Sequence, residues 1–340
     1  MNNVELAPLE ALAKEILRRC MAEEDPNDIR AWVSEALIRL GGDTGSDAIM
    51  TWEQSFDFVD HMIVEYERVA ALPEEERQVL LWPWQTWNKL IDPLDAGMLG
   101  VVTAPDGQGK TIYAESIAEY WAQHRNRVAF VHYELNRKLM MLRRTSRHTG
   151  ILARAMKEGH LSQEQKYAIA EIRPRLLSWD GYISYVHTPG WSMEKTISEL
   201  TRLHAEGKLD VVVLDYLEKV AASRRQIQLF GSNIYQREAD NVEQLKNFAE
   251  TTGIPVLMIA QMSKDGKHTT FDKMDRGGMR GAGEKSDKAN LVILLNRDRI
   301  GDGYSNTVNV LVDKNTMGGT GVFDQLMQPE YYRVADEYKP

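Results

Sequence analysis

Residues 98–111 read Met-Leu-Gly-Val-Val-Thr-Ala-Pro-Asp-Gly-Gln-Gly-Lys-Thr, an apolar run followed at once by a glycine-rich turn and a Lys-Thr pair. The run predicts a buried strand, and residues 111–124 follow a helical pattern. Glycines let backbone N–H groups close around phosphate oxygens, and the dipole at a helix start favours an anion. This order of strand, turn and helix predicts a phosphate-binding loop.

The loop matches the pattern G-x-x-x-x-G-K-[ST] except at its first position, where alanine replaces glycine. Its candidate nucleotide-binding residues are Ala104, Pro105, Asp106, Gly107, Gln108, Gly109, Lys110 and Thr111. In this pattern Lys110 supplies charge for the β- and γ-phosphates, and the Thr111 hydroxyl is a ligand for Mg²⁺. The loop therefore predicts ATP and Mg²⁺ as cofactors. The alternative is a chance Gly-Lys-Thr in a glycine-rich turn.

Beyond the loop, short apolar runs alternate with helical stretches. The runs that predict buried strands are Met98–Thr103, Val128–Tyr133, Ile183–His187, Val211–Leu214, Pro255–Ala260, Leu291–Asn296 and Val308–Val312. Helical patterns fill most of the gaps, at 111–124, 136–157, 162–173, 192–206 and 235–252. This alternation predicts an α/β fold with a mostly parallel sheet flanked by helices, and ligands outside the carboxyl ends of its strands.

Residues 1–80 show a different pattern, in which apolar residues recur only at helical steps of three and four. We therefore expect a small all-α N-terminal region at 1–80, serving as a cap, a linker or an oligomerisation element. The α/β domain is then expected to occupy residues 81–340.

Polar residues at the ends of three predicted strands are candidates for chemistry near the loop. Asp215 ends a run of four apolar residues, a pattern in which the carboxylate holds the metal. Glu134 follows another strand, where a carboxylate could activate water, and Gln261 follows a third, where an amide could sense the γ-phosphate. The alternatives are an ordinary turn aspartate, a solvated glutamate and a satisfied strand-end amide.

The composition bounds the remaining possibilities. The 340 residues carry 41 Lys and Arg against 50 Asp and Glu, a formal net charge of −9. This charge excludes a globally basic nucleic-acid binder but leaves room for a local basic channel. The single cysteine, Cys20, argues for a reducing compartment, and the sequence lacks a membrane-spanning run and a secretory signal. We therefore expect a cytoplasmic protein without a membrane partner.

Taken in order, these motifs resemble the RecA-like ATPase domain of DnaB-type replicative helicases, within the P-loop NTPase superfamily. The resemblance extends from about Trp84 to Val334, and alanine at the first loop position is typical of that family. Besides the loop, the segments that carry it are Thr86-Trp87 with Leu94–Gly97, Glu134-Leu135, Thr188–Gly190 with Leu209–Leu217, Met279–Glu284 with Asn296–Asp298, and Lys314-Asn315 with Gln328–Tyr331.

The resemblance implies a homo-oligomer, a hexameric ring in which ATP lies between subunits and the neighbour supplies a lysine and an arginine finger. Lys314 matches that lysine, whereas Thr316 stands where the finger would be. Either another arginine (Arg280, Arg297 or Arg299) neutralises the transition-state charge, or hydrolysis is slow. Residues 1–80 do not resemble the family's N-terminal collar, so its primase and loader contacts are not carried over. Other replication proteins could bind, but the sequence does not identify them.

The segment between Gln261 and Lys288 combines glycines with cations. Its candidate DNA-binding residues are Lys264, Lys267, Lys273, Arg276, Arg280, Gly281 and Gly283. Glycines let the backbone approach phosphates and the cations neutralise them, which is typical of binding without sequence preference. The segment also contains acidic residues, so an ordinary solvated loop is the alternative. A second segment, 222–233, is a weaker candidate for a loop that faces DNA.

These observations favour an ATP-dependent DNA helicase that hydrolyses ATP between subunits of a ring and translocates on single-stranded DNA during replication. The alternative is a RecA-fold ATPase that binds DNA or a protein and changes shape without unwinding. A recombinase-like filament is a third, lesser hypothesis.

Overall fold

The computed structural model describes residues 3–22, 24–26, 28–29, 32–33, 36, 51–73, 76–134, 136–262, 287–301 and 303–336. The helices in these ranges are α1 (Asn3–Met21), α2 (Trp52–Ala71), α3 (Gln85–Asn88), α4 (Lys110–Gln123), α5 (Arg137–Thr149), α6 (Ala153–Glu158), α7 (Gln163–Ala170), α8 (Ile172–Leu177), α9 (Met193–Ala205), α10 (Arg224–Phe230) and α11 (Ile234–Thr252). The strands are β1 (Leu99–Ala104), β2 (Arg127–His132), β3 (Tyr182–His187), β4 (Val211–Asp215), β5 (Val256–Gln261), β6 (Leu291–Asn296), β7 (Arg299–Ile300), β8 (Gly303–Tyr304), β9 (Thr307–Asn315), β10 (Gly321–Gln328) and β11 (Arg333–Ala335).

Within the described chain, nine strands form one mixed sheet in the order β11-β10-β9-β6-β1-β5-β4-β2-β3. Six strands run parallel to one another, in the order β6-β1-β5-β4-β2-β3. On the other side of β6, the strands β9, β10 and β11 continue the sheet, and each pairs antiparallel with its neighbour. Helices return the chain between most of the parallel strands, as parallel pairing requires. The predicted α/β fold with a mostly parallel sheet is confirmed.

The sheet is buried on both faces, which explains why its central strands read as unbroken apolar runs. Every residue of β1, β4 and β6 is buried. Alternate side chains of β5 enter two separate cores: Leu257 and Ile259 pack with α4 on one face, and Val256 and Met258 pack with α9 and α11 on the other. Because successive side chains of a strand point to opposite faces, the sheet packs against a layer of helices on each face.

An aromatic cluster closes the core on the α4 face. Trp82, Trp84 and Trp87 precede β1, and their rings lie within 6 Å of one another or of Tyr113 and Trp121 on α4. Their indole N–H groups are satisfied by backbone or side-chain oxygens. The segment before β1 therefore belongs to the α/β core and supports the helix that follows the loop.

Three predicted elements differ from the observed ones. The helix expected over 136–157 is divided into α5 and α6, because Gly150 takes a left-handed conformation (φ 70°) and ends α5. The helix expected over 162–173 is divided into α7 and α8. The segment 222–233, expected as a loop, contains α10, which begins after Ser223 because the Ser223 hydroxyl accepts the backbone N–H of Gln226.

No described helix is both long and apolar enough to cross a membrane.

Candidate nucleotide site

The loop between β1 and α4 has the backbone that its glycines predict. Gly107 and Gly109 have φ values of 76° and 90°, a region that side chains with a Cβ rarely adopt. Gly109 also begins α4, and no side chain caps the helix there. The first N–H groups of α4 can therefore face an anion, the arrangement that phosphate binding requires.

Lys110 lies inside this loop with its side chain largely buried. Its Nζ donates to the carbonyl oxygens of Ala104 and Pro105 at 2.8 and 2.9 Å. These two bonds hold the ammonium at the centre of the turn, where it adds a positive charge to the start of the helix.

Thr111 and Asp215 meet although 104 residues separate them in sequence. The Thr111 hydroxyl donates to Oδ2 of Asp215 at 2.9 Å, because β4 delivers its last residue to the same edge of the sheet as β1. The pKa of Asp215 is raised to about 7, chiefly by burial and also by Glu115, although Thr111, Lys110 and Arg143 act in the opposite direction. Oδ1 of Asp215 is buried and has no hydrogen-bond partner among the described atoms. A hydroxyl beside an unsatisfied carboxylate oxygen fits a hard divalent cation such as Mg²⁺.

Glu134 lies two residues beyond β2, and β2 pairs with β4 so that His132 is opposite Asp215. Its side chain is 52% exposed and forms an ion pair with Lys219, whose Nζ lies 3.5 Å from Oε1 of Glu134. The structure thus brings Glu134 to the sheet edge that carries Asp215.

Gln261 is the last residue of β5 and is paired with Ala104, the last residue of β1. Its backbone N–H donates to Oε1 of Glu218 at 3.0 Å. Gln261 therefore lies beside the start of the phosphate loop.

Lys314 lies elsewhere. It is on β9 opposite Val292, near the start of β6, and the start of β6 is level with the start of β1. Its Nζ donates to the carbonyl oxygen of Asp287 at 2.9 Å. Lys314 therefore lies where the parallel strands begin, whereas the phosphate loop lies where β1 ends. The two are not brought together within one chain.

The three candidates to replace the arginine finger, Arg280, Arg297 and Arg299, lie in different parts of the chain. Arg297 follows β6 at the same edge as the phosphate loop and is buried, where its Nε donates to the carbonyl oxygen of Ser305 at 2.6 Å. Arg299 is on the short exposed hairpin of β7 and β8. Arg280 falls outside the described residues, as do all seven candidate DNA-binding residues, Lys264, Lys267, Lys273, Arg276, Arg280, Gly281 and Gly283.

Sequence reasoning missed two residues that contact the loop from other elements. The Tyr304 ring on β8 lies against Gly107, and a Cβ at that glycine would be 3.4 Å from the ring. Met327 on β10 fills the space beside Gly109 and would overlap a Cβ there. Tyr304 lies on a strand of only two residues, and Met327 lies on β10, an eight-residue strand that no apolar run predicts, so the sequence offers no local signal for them.

Helix α5 carries a run of basic residues whose helical spacing is typical of a solvated or intersubunit face, but Arg147 does not face water. Arg147 is buried and its guanidinium lies 2.7 Å from Glu115 and 3.1 Å from Glu119, both on α4. Burial alone would raise the pKa of Glu119, but Arg147, His148 and Arg144 lower it to about 2. Arg144 and Arg147 thus form an ionic contact that fixes α5 to the helix of the phosphate loop.

The sequence is similar to those of several curated proteins. Replicative DNA helicase DnaC of Bacillus subtilis is 23% identical over 285 residues, which are 82% of this chain and 61% of that protein. A probable plasmid replicative DNA helicase of Chlamydia muridarum is 24% identical over 233 residues, 68% of this chain and 49% of that protein. The chain thus spans between about half and three fifths of the length of these curated relatives.

Solved structures share the fold. One of them, described as an ATPase domain, superposes with a TM-score of 0.71 at 17% identity, over 82% of this chain and 98% of that one. A DnaB-like replicative helicase, described together with its interactions with primase, superposes with a TM-score of 0.73 at 15% identity, over 95% of this chain and 74% of that one. The family model of the DnaB-like helicase C terminal domain matches residues 84–336, about three quarters of the chain, and the chain therefore belongs to that family.

Proposed function

We propose that this protein is an ATP-dependent DNA helicase that works as a ring of identical subunits. The observation that carries the proposal is the contact between Thr111 and Asp215 beside the buried ammonium of Lys110. Family membership supports the same activity, because the matched relatives are described as replicative DNA helicases.

In this proposal each site residue has one role. Lys110 and the backbone of the loop bind the phosphates of ATP, while Thr111 and Asp215 hold Mg²⁺, which would neutralise charge on the transferred phosphoryl group. Glu134 orients and deprotonates the attacking water, and Gln261 links the site to the segment that follows β5. Asp215 must lose its proton to hold the cation, so its raised pKa makes Mg²⁺ binding stronger as pH rises through about 7.

A ring is supported by the opposite locations of Lys314 and the phosphate loop. Because Lys314 lies at the far edge of the sheet from its own loop, it can serve an ATP site only on a neighbouring copy. We assign it that role, and we propose that residues 1–80 contribute to assembly. Single-stranded DNA is the proposed partner of residues 264–283, through backbone phosphates.

The second candidate function is an ATPase that binds DNA and changes shape without unwinding it. Thr316 favours it, since a threonine cannot provide the charge of an arginine finger. Arg297 does not replace the finger in trans, because it is buried beside its own phosphate loop.

A strand-displacement assay run beside an ATPase assay distinguishes the two functions. The helicase proposal predicts that single-stranded DNA stimulates hydrolysis and that a duplex with a single-stranded tail is separated when ATP is hydrolysed. Stimulated hydrolysis without displacement would establish the second function instead. Hydrolysis that DNA does not change would remove DNA as the partner.

A further inference from the structure

The chain makes a short 3-10 turn, Leu217–Lys219, immediately after the residue that follows Asp215. Leu217 is completely buried and anchors the turn in the core. Two backbone bonds close it: the N–H of Lys219 donates to the carbonyl of Tyr216, and that of Val220 donates to the carbonyl of Leu217, at 3.2 and 3.1 Å. The backbone of the turn therefore fixes the directions of the Cα–Cβ bonds of its two polar residues, Glu218 and Lys219.

Those two side chains reach two different strand ends. Glu218 accepts the backbone N–H of Gln261 at the end of β5. Lys219 points the other way, with its Nζ 3.5 Å from Oε1 of Glu134 and 5.6 Å from the centre of the Tyr216 ring. One turn thus contacts both the proposed water-activating carboxylate and the proposed sensor.

We propose that Lys219 is a positioning residue for Glu134, which it holds in the rotamer that faces the site edge between β2 and β4. This inference rests on the proposed function, in which Glu134 activates water. Glu134 follows a strand in an exposed position, so its side chain would otherwise sample several rotamers. The ammonium is the charge that selects one of them.

The solvent exposure of Lys219 and Glu134 limits how much their ion pair can change the rate of hydrolysis. Lys219 and Glu134 are 43% and 52% exposed. An exposed pair contributes at most about 1 kcal/mol, equivalent to about fivefold in a rate, because water and salt screen it. Lys219 therefore orients the carboxylate without trapping it, and its loss is expected to slow turnover modestly.

The kinetic test replaces Lys219 by methionine, an unbranched side chain one atom shorter that removes the charge. Lys219→Met is expected to lower kcat for ATP hydrolysis about fivefold and to leave KM for ATP within about twofold, because the phosphate loop is unchanged. Lys219→Arg is expected to restore most of the rate. The matched control is Lys208→Met, since Lys208 pairs with Glu206 on the surface at 2.7 Å.

Three kinetic results would overturn the inference. They are an unchanged or faster kcat in Lys219→Met, a rate that Lys219→Arg does not restore, and an equal loss of rate in Lys208→Met. A fall in melting temperature that tracks the fall in kcat would likewise indicate a structural role.

A second measurement does not depend on activity. A carbodiimide joins a lysine to a carboxylate only when they touch, so treatment of the protein without nucleotide should yield an amide between Lys219 and Glu134, identified by mass spectrometry of the digest. Absence of this cross-link overturns the inference even where hydrolysis is normal. A protein that forms the cross-link but hydrolyses no ATP contradicts the proposed function and leaves the geometry of the pair intact.

Discussion

At the scale of single residues, the buried carboxyl of Asp215 dominates the electrostatics of the site. Its pKa lies near 7 in the folded protein against 3.8 for an ordinary aspartate, chiefly because of burial. The folded state therefore holds this proton more tightly than the unfolded state. The stability that this proton contributes is complete below about pH 4 and is lost as pH rises through about 7.

Asp215→Asn should stabilise the protein at high pH, since the amide carries no charge to bury. We expect the variant, without nucleotide, to be more stable than the wild type by about 1–3 kcal/mol at pH 8.5, with the difference shrinking towards pH 5. Thermal unfolding of both proteins across this range measures the effect, because titrating groups that do not interact with Asp215 cancel in the comparison. An equal response of the two proteins to pH would contradict the burial of this charge.

At the scale of elements, the contact between α4 and α5 joins the helix of the phosphate loop to the helix that follows Glu134. Arg147 supplies the guanidinium, and its backbone carbonyl accepts Nε of Arg333 on β11 at 2.6 Å. Three elements that are distant in sequence are thus held together at a buried ionic centre. Movement of α5 relative to α4 is restricted as a result.

Arg147→Met should destabilise the fold strongly, because it leaves Glu115 buried without its ion-pair partner and leaves Glu119 with only Arg144 and His148. We expect a loss of about 3–5 kcal/mol in the free energy of unfolding. Arg202→Met is the matched control: Arg202 pairs with Glu199 at 2.6 Å on the surface, and its loss should cost at most about 1 kcal/mol. Urea unfolding of both variants tests this prediction. Equal losses in the free energy of unfolding would show that the buried ion pairs of Arg147 contribute no more than a surface pair.

The sequence predicts the strand ends and the phosphate-loop residues better than it predicts the contacts between elements. The ends of β1 and β4 were predicted to within a residue, because unbroken apolar runs mark buried strands and the loop pattern fixes Lys110 and Thr111. The partners of Arg147 were not, since a helical run of cations looks the same whether it faces water or a buried carboxylate on a helix 28 residues earlier. Tyr304 was missed for a similar reason, because its strand has only two residues.

At the scale of the whole molecule, α2 carries an apolar stripe that is exposed in the described part of the chain. Trp52, Phe56, Val59, Ile63 and Tyr66 recur at steps of three and four along the helix, and each is at least 41% exposed. A stripe of this width normally packs against another element. We propose that this stripe packs against a neighbouring copy of the chain in the proposed ring.

Ile63→Asp should therefore weaken assembly, because it places a charge in the middle of the stripe. Val64→Asp is the matched control: it makes the same kind of change one residue later, about 100° away around the helix and off the stripe. Light scattering during size-exclusion chromatography should show smaller species for Ile63→Asp and wild-type assembly for Val64→Asp. The proposed role of α2 fails if both variants assemble like the wild type.

The most direct measurement of the central claim is hydrolysis of Mg²⁺-ATP by the wild type and by Lys110→Ala, with single-stranded DNA present. Lys110 is the charge at the centre of the phosphate loop, so we expect turnover by the wild type and a loss of at least about 100-fold in the variant, with melting temperatures that agree closely. Turnover that survives in a folded Lys110→Ala protein would contradict the assignment of this loop as the ATP site.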